Sequence, residues 1–143
     1  MRVNTPSVLT AMSHFSNENV GAQTVTAAYV DVLSTSLGLC VLGQIILMSS
    51  QLAYVKGGVS GGSSHGMRQS AGTGQLLFLN NKAIVTEILT THVAGEQWTT
   101  LITAIGIVVV TGTITVSTGG SSLNSNGTVG IGDANHRIMR FNR

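Results

Sequence analysis

The residues that could perform acid–base chemistry are few in this chain and lie far apart. Five carboxylic acids occur among its 143 residues. They are Glu18, Asp31, Glu87, Glu96 and Asp133. No two of them stand at a helical or strand spacing that would bring two carboxylates together, as a glycosidase requires. The sequence therefore gives no indication of a carboxylate-based active site.

Residues that could bind a metal or act as a nucleophile are equally scattered. The four histidines are His14, His65, His92 and His136. Their spacing does not match a metal site, so we interpret each as a loop residue. The single thiol, Cys40, lies in the apolar run Leu37–Leu42, which is typical of a small buried residue and not of a nucleophile. We expect a chain that is not an enzyme and that has no metal or cofactor.

Two glycine-rich stretches do not match known catalytic or phosphate-binding motifs. The segment Gly57–Ser64 places serines among glycines, but a hydrolase nucleophile needs a strand-to-helix turn, which this stretch does not offer. Gly72-Thr73-Gly74 lacks the lysine and the following helix of a phosphate-binding loop. Neither stretch predicts a site.

The composition favours an all-β protein. Only 8% of the residues are charged, against about 25% in a typical soluble domain, while 43% are hydrophobic, so a core can form and the chain is not disordered. Threonine and valine favour strands, and the 18 glycines favour the turns between them. From Val20 onward, turn-forming residues recur roughly every 8 to 12 residues, the rhythm of a sandwich or barrel.

Two long uncharged stretches raise the alternative of membrane spans. Residues 32–55 and 97–132 contain no charged side chain over 24 and 36 positions. Polar residues dilute the first stretch, and the second combines β-branched residues with glycines such as Gly106 and Gly112, which disfavour a helix. Basic residues do not bracket either stretch as a membrane topology requires. We expect no membrane partner.

The basic residues suggest at most a local contact. The net charge is +2, and nucleic-acid binding usually needs a basic stripe with interleaved aromatics, whereas aromatics make up 4% here. Three of the seven basic residues, Arg137, Arg140 and Arg143, end the chain. They either protect an edge strand or form a modest anionic contact. We expect no nucleic-acid partner.

The pattern of segments predicts an arm and one domain. Residues 1–19 have no steady period and are interpreted as an N-terminal arm, with the domain at 20–143. Gly57–Gly74 and Thr118–Gly127 are predicted to be polar loops, the first exposed and mobile. Some strands are apolar on both faces, and exposed apolar surface without charge is typical of an oligomer.

The order of these segments resembles a known family. Tyr29-Val30-Asp31-Val32 precedes an apolar strand at Leu37–Val41, and a long strand at Gln44–Val55 follows. A hairpin is predicted at Gln75–Leu89, turning at Asn80-Asn81-Lys82. Ala94–Trp98 then leads into a strand pair, Gln97–Ile105 and Ile107–Ser117, hinged at Gly106. This order is similar to that of the trimeric jelly-rolls of tumour-necrosis-factor-like domains, complement globular heads and phage virion proteins, although the aromatic-rich inner strands of the first two groups are missing.

The resemblance implies both a fold and a function. It implies an antiparallel jelly-roll sandwich of about eight strands that forms a homotrimer on the surface of a virion. In phage, such proteins decorate or cement the capsid, so the expected partners are the chain itself and a major capsid protein. The arm would be the anchor, with Arg2, Val3, His14 and Phe15 as its capsid-contact residues.

Two alternatives remain open at this stage. A receptor- or carbohydrate-binding fibre tip would use the loops 57–74 and 118–127, which contain no aromatic residue for sugar stacking. A self-assembling surface subunit, such as a pilus protein, would form open polymers.

Overall fold

Strands make up all the regular structure in the described part of the chain. A computed structural model describes residues 12–19, 23–25, 29–57, 61–79, 84–92, 97–122 and 128–142. In chain order the strands are β1 (Met12–Asn19), β2 (Gln23–Val25), β3 (Val30–Cys40), β4 (Ile45–Gly57), β5 (Gly61–Ala71), β6 (Gln75–Phe78), β7 (Ile84–His92), β8 (Gln97–Val110), β9 (Gly112–Ser122) and β10 (Thr128–Phe141). Within these ranges there is no helix of the length and apolarity needed to span a membrane.

The strands form two antiparallel sheets with jelly-roll connectivity. The six-stranded sheet has the order β1-β10-β4-β8-β6, with β2 also paired to β10, and the four-stranded sheet has the order β3-β9-β5-β7. The pairs β1–β10, β3–β9, β4–β8 and β5–β7 are nested, first strand with last. Such nesting is what a long hairpin produces when it rolls into a sandwich. Eight strands have eight or more residues, and the predicted fold class is confirmed.

The predicted loop Gly57–Gly74 is wrong over most of its length. Residues 61–71 form β5, which lies between β9 and β7 inside the four-stranded sheet. Small residues stand opposite each other on these neighbouring strands, with Gly66 of β5 opposite Gly119 of β9 in the register. Glycine and serine weaken strand propensity, but pairing on both sides overrides that preference. The loop predicted at Thr118–Gly127 is also partly wrong, since β9 continues to Ser122, while residues 123–127 lie outside the described residues.

The two predicted strand pairs are wrong as pairs. β6 belongs to the six-stranded sheet and β7 to the four-stranded sheet, so the chain crosses between sheets where a hairpin was expected. Likewise β8 and β9 lie in different sheets, and β8 continues through Gly106 without a break. A Cβ at Gly106 would lie 2.6 Å from Leu76 Cδ1, so this glycine makes room for a core leucine.

Part of the predicted N-terminal arm is a strand of the sandwich. β1 pairs with β10 along its whole length, from Met12 opposite Phe141 to Asn19 opposite Ala134. Residues 1–11, with Arg2 and Val3, lie outside the described residues. The described part of the segment 1–19 is therefore built into the six-stranded sheet.

Tight turns gather at one end of the sandwich. Between β3 and β4, Gln44 N donates to Val41 O at 3.0 Å, and Gly43 has a φ of 91°, a conformation that favours glycine at the third position of the turn. Leu42 N donates to Thr111 Oγ1 at 2.9 Å, which ties this turn to the β8–β9 turn. The two connections together form one exposed end of the molecule.

Candidate functional site

The outer face of the six-stranded sheet is apolar over half of its length. Strands alternate their side chains between faces, and in β4 Ile46 and Met48 are buried inside while Ile45 and Leu47 face outward. The register aligns these outward residues with their neighbours in two rows that cross five strands. The first row is Met12, Phe141, Ile45, Ile107 and Leu77. The second is His14, Met139, Leu47, Ile105 and Leu79. The nine apolar members are called the apolar face.

The apolar face is open to solvent. Leu79 is 61% exposed and Ile105 is 45% exposed. A concavity of about 470 Å³ lies beside the second row, where Leu47, Ile105 and Met139 line it and His14 and Arg137 stand among its lining residues. Five strands about 4.8 Å apart make the two rows about 20 Å wide and about 14 Å long. This footprint, on the order of 300 Å², is in the range of patches that are often functional on monomers.

A second apolar surface adjoins the first row at the end of the sandwich. The turns that meet there expose Leu39, Val41, Leu42 and Val110, which we call the apolar tip. Because Ile45 begins β4 just after the β3–β4 turn, the tip and the first row are neighbours. Together they form one apolar surface that turns a corner of the molecule.

The other half of the same sheet face is mainly polar. The next two rows are Ser16, Arg137, Ser49 and Thr103, and then Glu18, Asn135, Gln51 and Leu101. Apart from Thr103, these residues line an open concavity of about 870 Å³. Asn135 Nδ2 lies 3.5 Å from Gln51 Oε1. The boundary between apolar and polar halves therefore runs across all the long strands of this sheet.

The predicted anchor residues separate onto opposite faces of β1. His14 is exposed and stands at the start of the second row, beside the apolar face. Phe15 is half-buried and packs inward against the core. Contact of either residue with a capsid stays a prediction, as it does for Arg2 and Val3.

The C-terminal arginines have different surroundings. β10 has β1 on one side and β4 on the other, so Arg137 and Arg140 do not lie on a sheet edge, and Arg143 is outside the described residues. Arg137 is exposed on the outer face. Arg140 points toward the four-stranded sheet, and Arg140 Nη1 donates to Leu37 O at 2.7 Å and to Leu39 O at 3.0 Å. An anionic contact at Arg137 stays a prediction.

The interpretation of the histidines as loop residues is wrong, because all four lie in strands. His65 is 0% exposed and His136 is 2% exposed. The rings of His65 and His136 are hydrogen-bonded at both nitrogens. His65 contacts Ser50 Oγ and Thr100 Oγ1, both at 2.8 Å. The six residues that form these contacts, called the polar seam, are Thr35, Ser50, His65, Thr100, Thr118 and His136.

The polar seam lies between two apolar clusters of the core. In β4 the inward residues are Met48 of the larger cluster, Ser50 of the seam and Leu52 of the smaller cluster. In β10, His136 stands in the same way between Ala134 and Ile138. The alternation of Ala134, His136 and Ile138 in the sequence is the signal that could have placed this histidine inside.

Burial sets the protonation state of the seam. It lowers the pKa of both His65 and His136 from 6.5 to about 4, because a charged ring cannot be hydrated there. Both rings are therefore neutral at pH 7. The described residues contain no group of three or more histidine, cysteine or acidic side chains that could hold a metal ion.

Arg68 and Asp31 form an ion pair on the four-stranded sheet. Arg68 donates to Asp31 through both Nε, at 3.0 Å, and Nη2, at 2.7 Å, and its Cζ lies 5.1 Å from the centroid of the Tyr29 ring. Burial, followed by the Asp31 charge, raises the pKa of Tyr29. This cluster joins β3 and β5 on the outer side of β9, and its geometry indicates a structural role.

Comparison with known protein families and with curated proteins finds no match. Among solved structures, a chain from the disulfide-linked pili of Bacillus endospore appendages aligns over 93% of this chain and 90% of its own length, with a TM-score of 0.43 and 10% identity. A chain from infectious bursal disease virus, Gx strain, aligns over 92% of this chain but 42% of its own length, with a TM-score of 0.34 and 8% identity. At these values the similarity does not bear on function, and the jelly-roll assignment rests on strand order. Membership in the tumour-necrosis-factor-like family stays a prediction.

Proposed function

We propose that the chain is a structural subunit of a virion, a trimer that decorates a capsid and stabilises it by bridging capsid subunits. The observation that carries this proposal is the continuous surface formed by the apolar face and the apolar tip. In this proposal the chain has no catalytic role and needs no cofactor. Its partners are copies of itself and a major capsid protein, without nucleic acid or membrane.

Size and charge support self-association. A stable interface buries about 800 Å² on each partner, and the apolar face alone has a footprint on the order of 300 Å². Adding the apolar tip and part of the polar half brings the surface toward that size. Neither apolar row contains an acidic or basic side chain apart from His14, so a second copy can cover them without burying unpaired charge.

Closed symmetry fits a trimer in which each copy presents the same surface. Three sandwiches packed around a threefold axis would cover their apolar surfaces and leave the rest of the polar half, with Leu101, accessible at the rim. The bridging of capsid subunits would then be multivalent, since three weak contacts made by one rigid body bind more tightly than any single contact.

A second candidate is a self-assembling surface subunit. One observation favours it: the apolar face and the apolar tip lie on different sides of the same corner. Contact between the face of one copy and the tip of the next would be heterologous and would form an open polymer if it does not close. Disulfide cross-linking along such a polymer would need two thiols in each subunit, and this chain has only Cys40, which is buried.

The fibre-tip alternative places its binding site on the loops 57–74 and 118–127. Within these segments, residues 61–71 and 118–122 are strand residues. A glycan site would have to use other segments of the molecule.

The oligomeric state tests the proposal. We expect light scattering of the purified chain to give three times 14.8 kDa, and negative-stain images to show discrete particles. Ile105→Lys should shift the mass to that of a monomer, because a lysine in the second row would be buried unpaired. The matched control is Leu101→Lys, which changes an exposed leucine on the same face of the same strand, in the polar half.

Three other outcomes would decide against a trimer of this kind. Filaments abolished by Ile105→Lys would favour the surface subunit, and a monomeric wild-type chain would remove the self-association argument. An equal effect of both lysine variants would mean that the apolar face is not the interface. The virion role is tested separately, by mass spectrometry of virus particles purified from the source, in which peptides of this chain should be found.

A further inference from the structure

We propose that the polar seam is an acid-sensitive element that loosens the sandwich between its two apolar clusters when the pH falls. The inference concerns the stability of the fold and is independent of the proposed function. It rests on the positions of two buried histidines relative to the two sheets.

Each histidine of the seam connects one sheet to the other. His65 belongs to the four-stranded sheet, and its two partners, Ser50 and Thr100, belong to the six-stranded sheet. His136 belongs to the six-stranded sheet and bonds Thr35 Oγ1 at 2.5 Å and Thr118 Oγ1 at 3.1 Å, both in the four-stranded sheet. The two rings therefore form reciprocal links across the centre of the sandwich.

The hydrogen bonds of these links change when a ring is protonated. A neutral imidazole donates from one nitrogen and accepts at the other, so one hydroxyl donates to it and the other accepts from it. A protonated ring donates from both nitrogens, so the hydroxyl that donated must accept instead and turn its own proton to another acceptor. Protonation thus rearranges a contact between the sheets and introduces a positive charge on a ring that is at most 2% exposed.

The surroundings of the rings provide no described counter-charge. The buried polar residues in the described part of the chain include no carboxylate, lysine or arginine. The buried titratable groups of the neighbouring clusters are Cys40 and Tyr54, and Tyr54 donates to Ser64 O at 2.7 Å.

The charged groups on the strands of the seam have other partners or are exposed, and the groups on the neighbouring strands are placed by their register. Asp31 and Arg68 pair with each other, and Arg140 bonds the carbonyls of β3. Asp133 and Arg137 are exposed on β10. In the register, Glu87 of β7 stands opposite His65 and Asn17 of β1 opposite His136. Because Glu87 shares this register position with His65, its substitution is included in the test.

The direction of the pH effect follows from proton linkage. The pKa of each seam histidine is about 4 in the folded chain and about 6.5 in the unfolded chain. Between these values the unfolded chain binds more protons, so stability is lost as the pH falls below about 6.5 and levels off below about 4. From pH 7 to pH 5, the unfolding equilibrium constant should rise roughly 20-fold for each seam histidine.

Denaturant unfolding of the full chain between pH 7 and pH 5 tests the inference, because ordinary carboxylates stay ionised over this window. We expect a rise of several hundred-fold in the unfolding constant of the wild type. Single variants His65→Gln and His136→Gln should each keep only about 20-fold, and His14→Gln, the exposed control, should behave as the wild type. Glu87→Gln should leave the rise unchanged or increase it.

A measurement on the wild type covers the case in which a seam variant does not fold. Ring NMR resonances of two histidines should not titrate between pH 7 and pH 5 in the folded chain. Titration of all four rings near pH 6.5, or an unfolding constant that is constant over the window, would overturn the inference. So would a His14→Gln variant that loses as much of the pH dependence as the seam variants.

Discussion

Arg140 connects the two sheets at one edge of the sandwich. Its guanidinium reaches from β10 to the carbonyls of Leu37 and Leu39 on β3, where β3 forms the edge of the four-stranded sheet. Nη2 donates to Ser13 Oγ at 3.2 Å, and Cζ lies 5.4 Å from the centroid of the Phe15 ring. The cation thus supplies donors to two backbone acceptors at the edge of this sheet.

Loss of the Arg140 contacts should destabilise the fold. We expect Arg140→Ala to lower the free energy of unfolding by about 1–3 kcal/mol, because two carbonyls and Ser13 lose a charged donor. Arg137→Ala is the control on the same strand, and its exposed side chain should contribute less than about 0.5 kcal/mol. Denaturant titration of the two variants checks this. Equal effects would mean that the contacts of Arg140 contribute nothing specific.

Two glycines near strand ends, Gly38 and Gly112, differ in the space that a side chain would find. Gly112 starts β9 with a φ of 157°, and a Cβ there would collide with the backbone nitrogen of Gly74. Gly38, with a φ of 66°, has no atom within 4 Å of the same position. Both backbones resist a side chain, but only Gly112 also has no room for one.

The two glycines allow a matched comparison. Gly38→Ala should reduce the free energy of unfolding by about 1 kcal/mol, which is the backbone cost alone. Gly112→Ala should reduce it by more, since the β5–β6 turn has to move as well. Thermal unfolding of both variants provides the measurement, and a smaller loss for Gly112→Ala would contradict the packing argument.

The elements also show which parts of the fold the sequence reveals. β4 was predictable because Gln44–Val55 is a long uncharged segment rich in apolar and β-branched residues. β5 was not, because its pattern of glycine, serine and histidine acquires strand character only between β9 and β7. The apolar face could not be predicted for a related reason: Met12, Ile45 and Leu77 come from distant segments, and only the register brings them into one row. The C-terminal arginines were recognisable as a group, but their separate directions depend on the position of β10.

At the scale of the whole molecule, stability comes from buried apolar clusters and hydrogen bonds more than from ion pairs. Among the described residues, the salt bridge is Arg68–Asp31, with both side chains partly exposed. Such a pair contributes about 0–1 kcal/mol. Hydroxyl contacts such as Ser34 with Ser117, at 2.7 Å, connect strands without charge.

Stability should therefore depend little on ionic strength. Between 0.05 and 0.5 M NaCl, roughly the range over which screening lengths shorten by a factor of three, we expect the free energy of unfolding at pH 7 to change by less than about 1 kcal/mol. Asp31→Asn is the control in which even this change should shrink. A large loss of stability in salt would show that ion pairs matter more than the described contacts indicate.

The nested strand order has a consequence for synthesis on the ribosome. β1 is made before the other described strands, yet its partner in the sheet is β10, and β10 is also the neighbour that β4 needs on one side. Until β10 emerges, the six-stranded sheet lacks its second strand, which lies between β1 and β4. Assembly of this sheet must therefore wait for β10 and is expected to be slow, as is usual for distant pairing. A chain that stops before β10 would lose the middle of a sheet, not its margin.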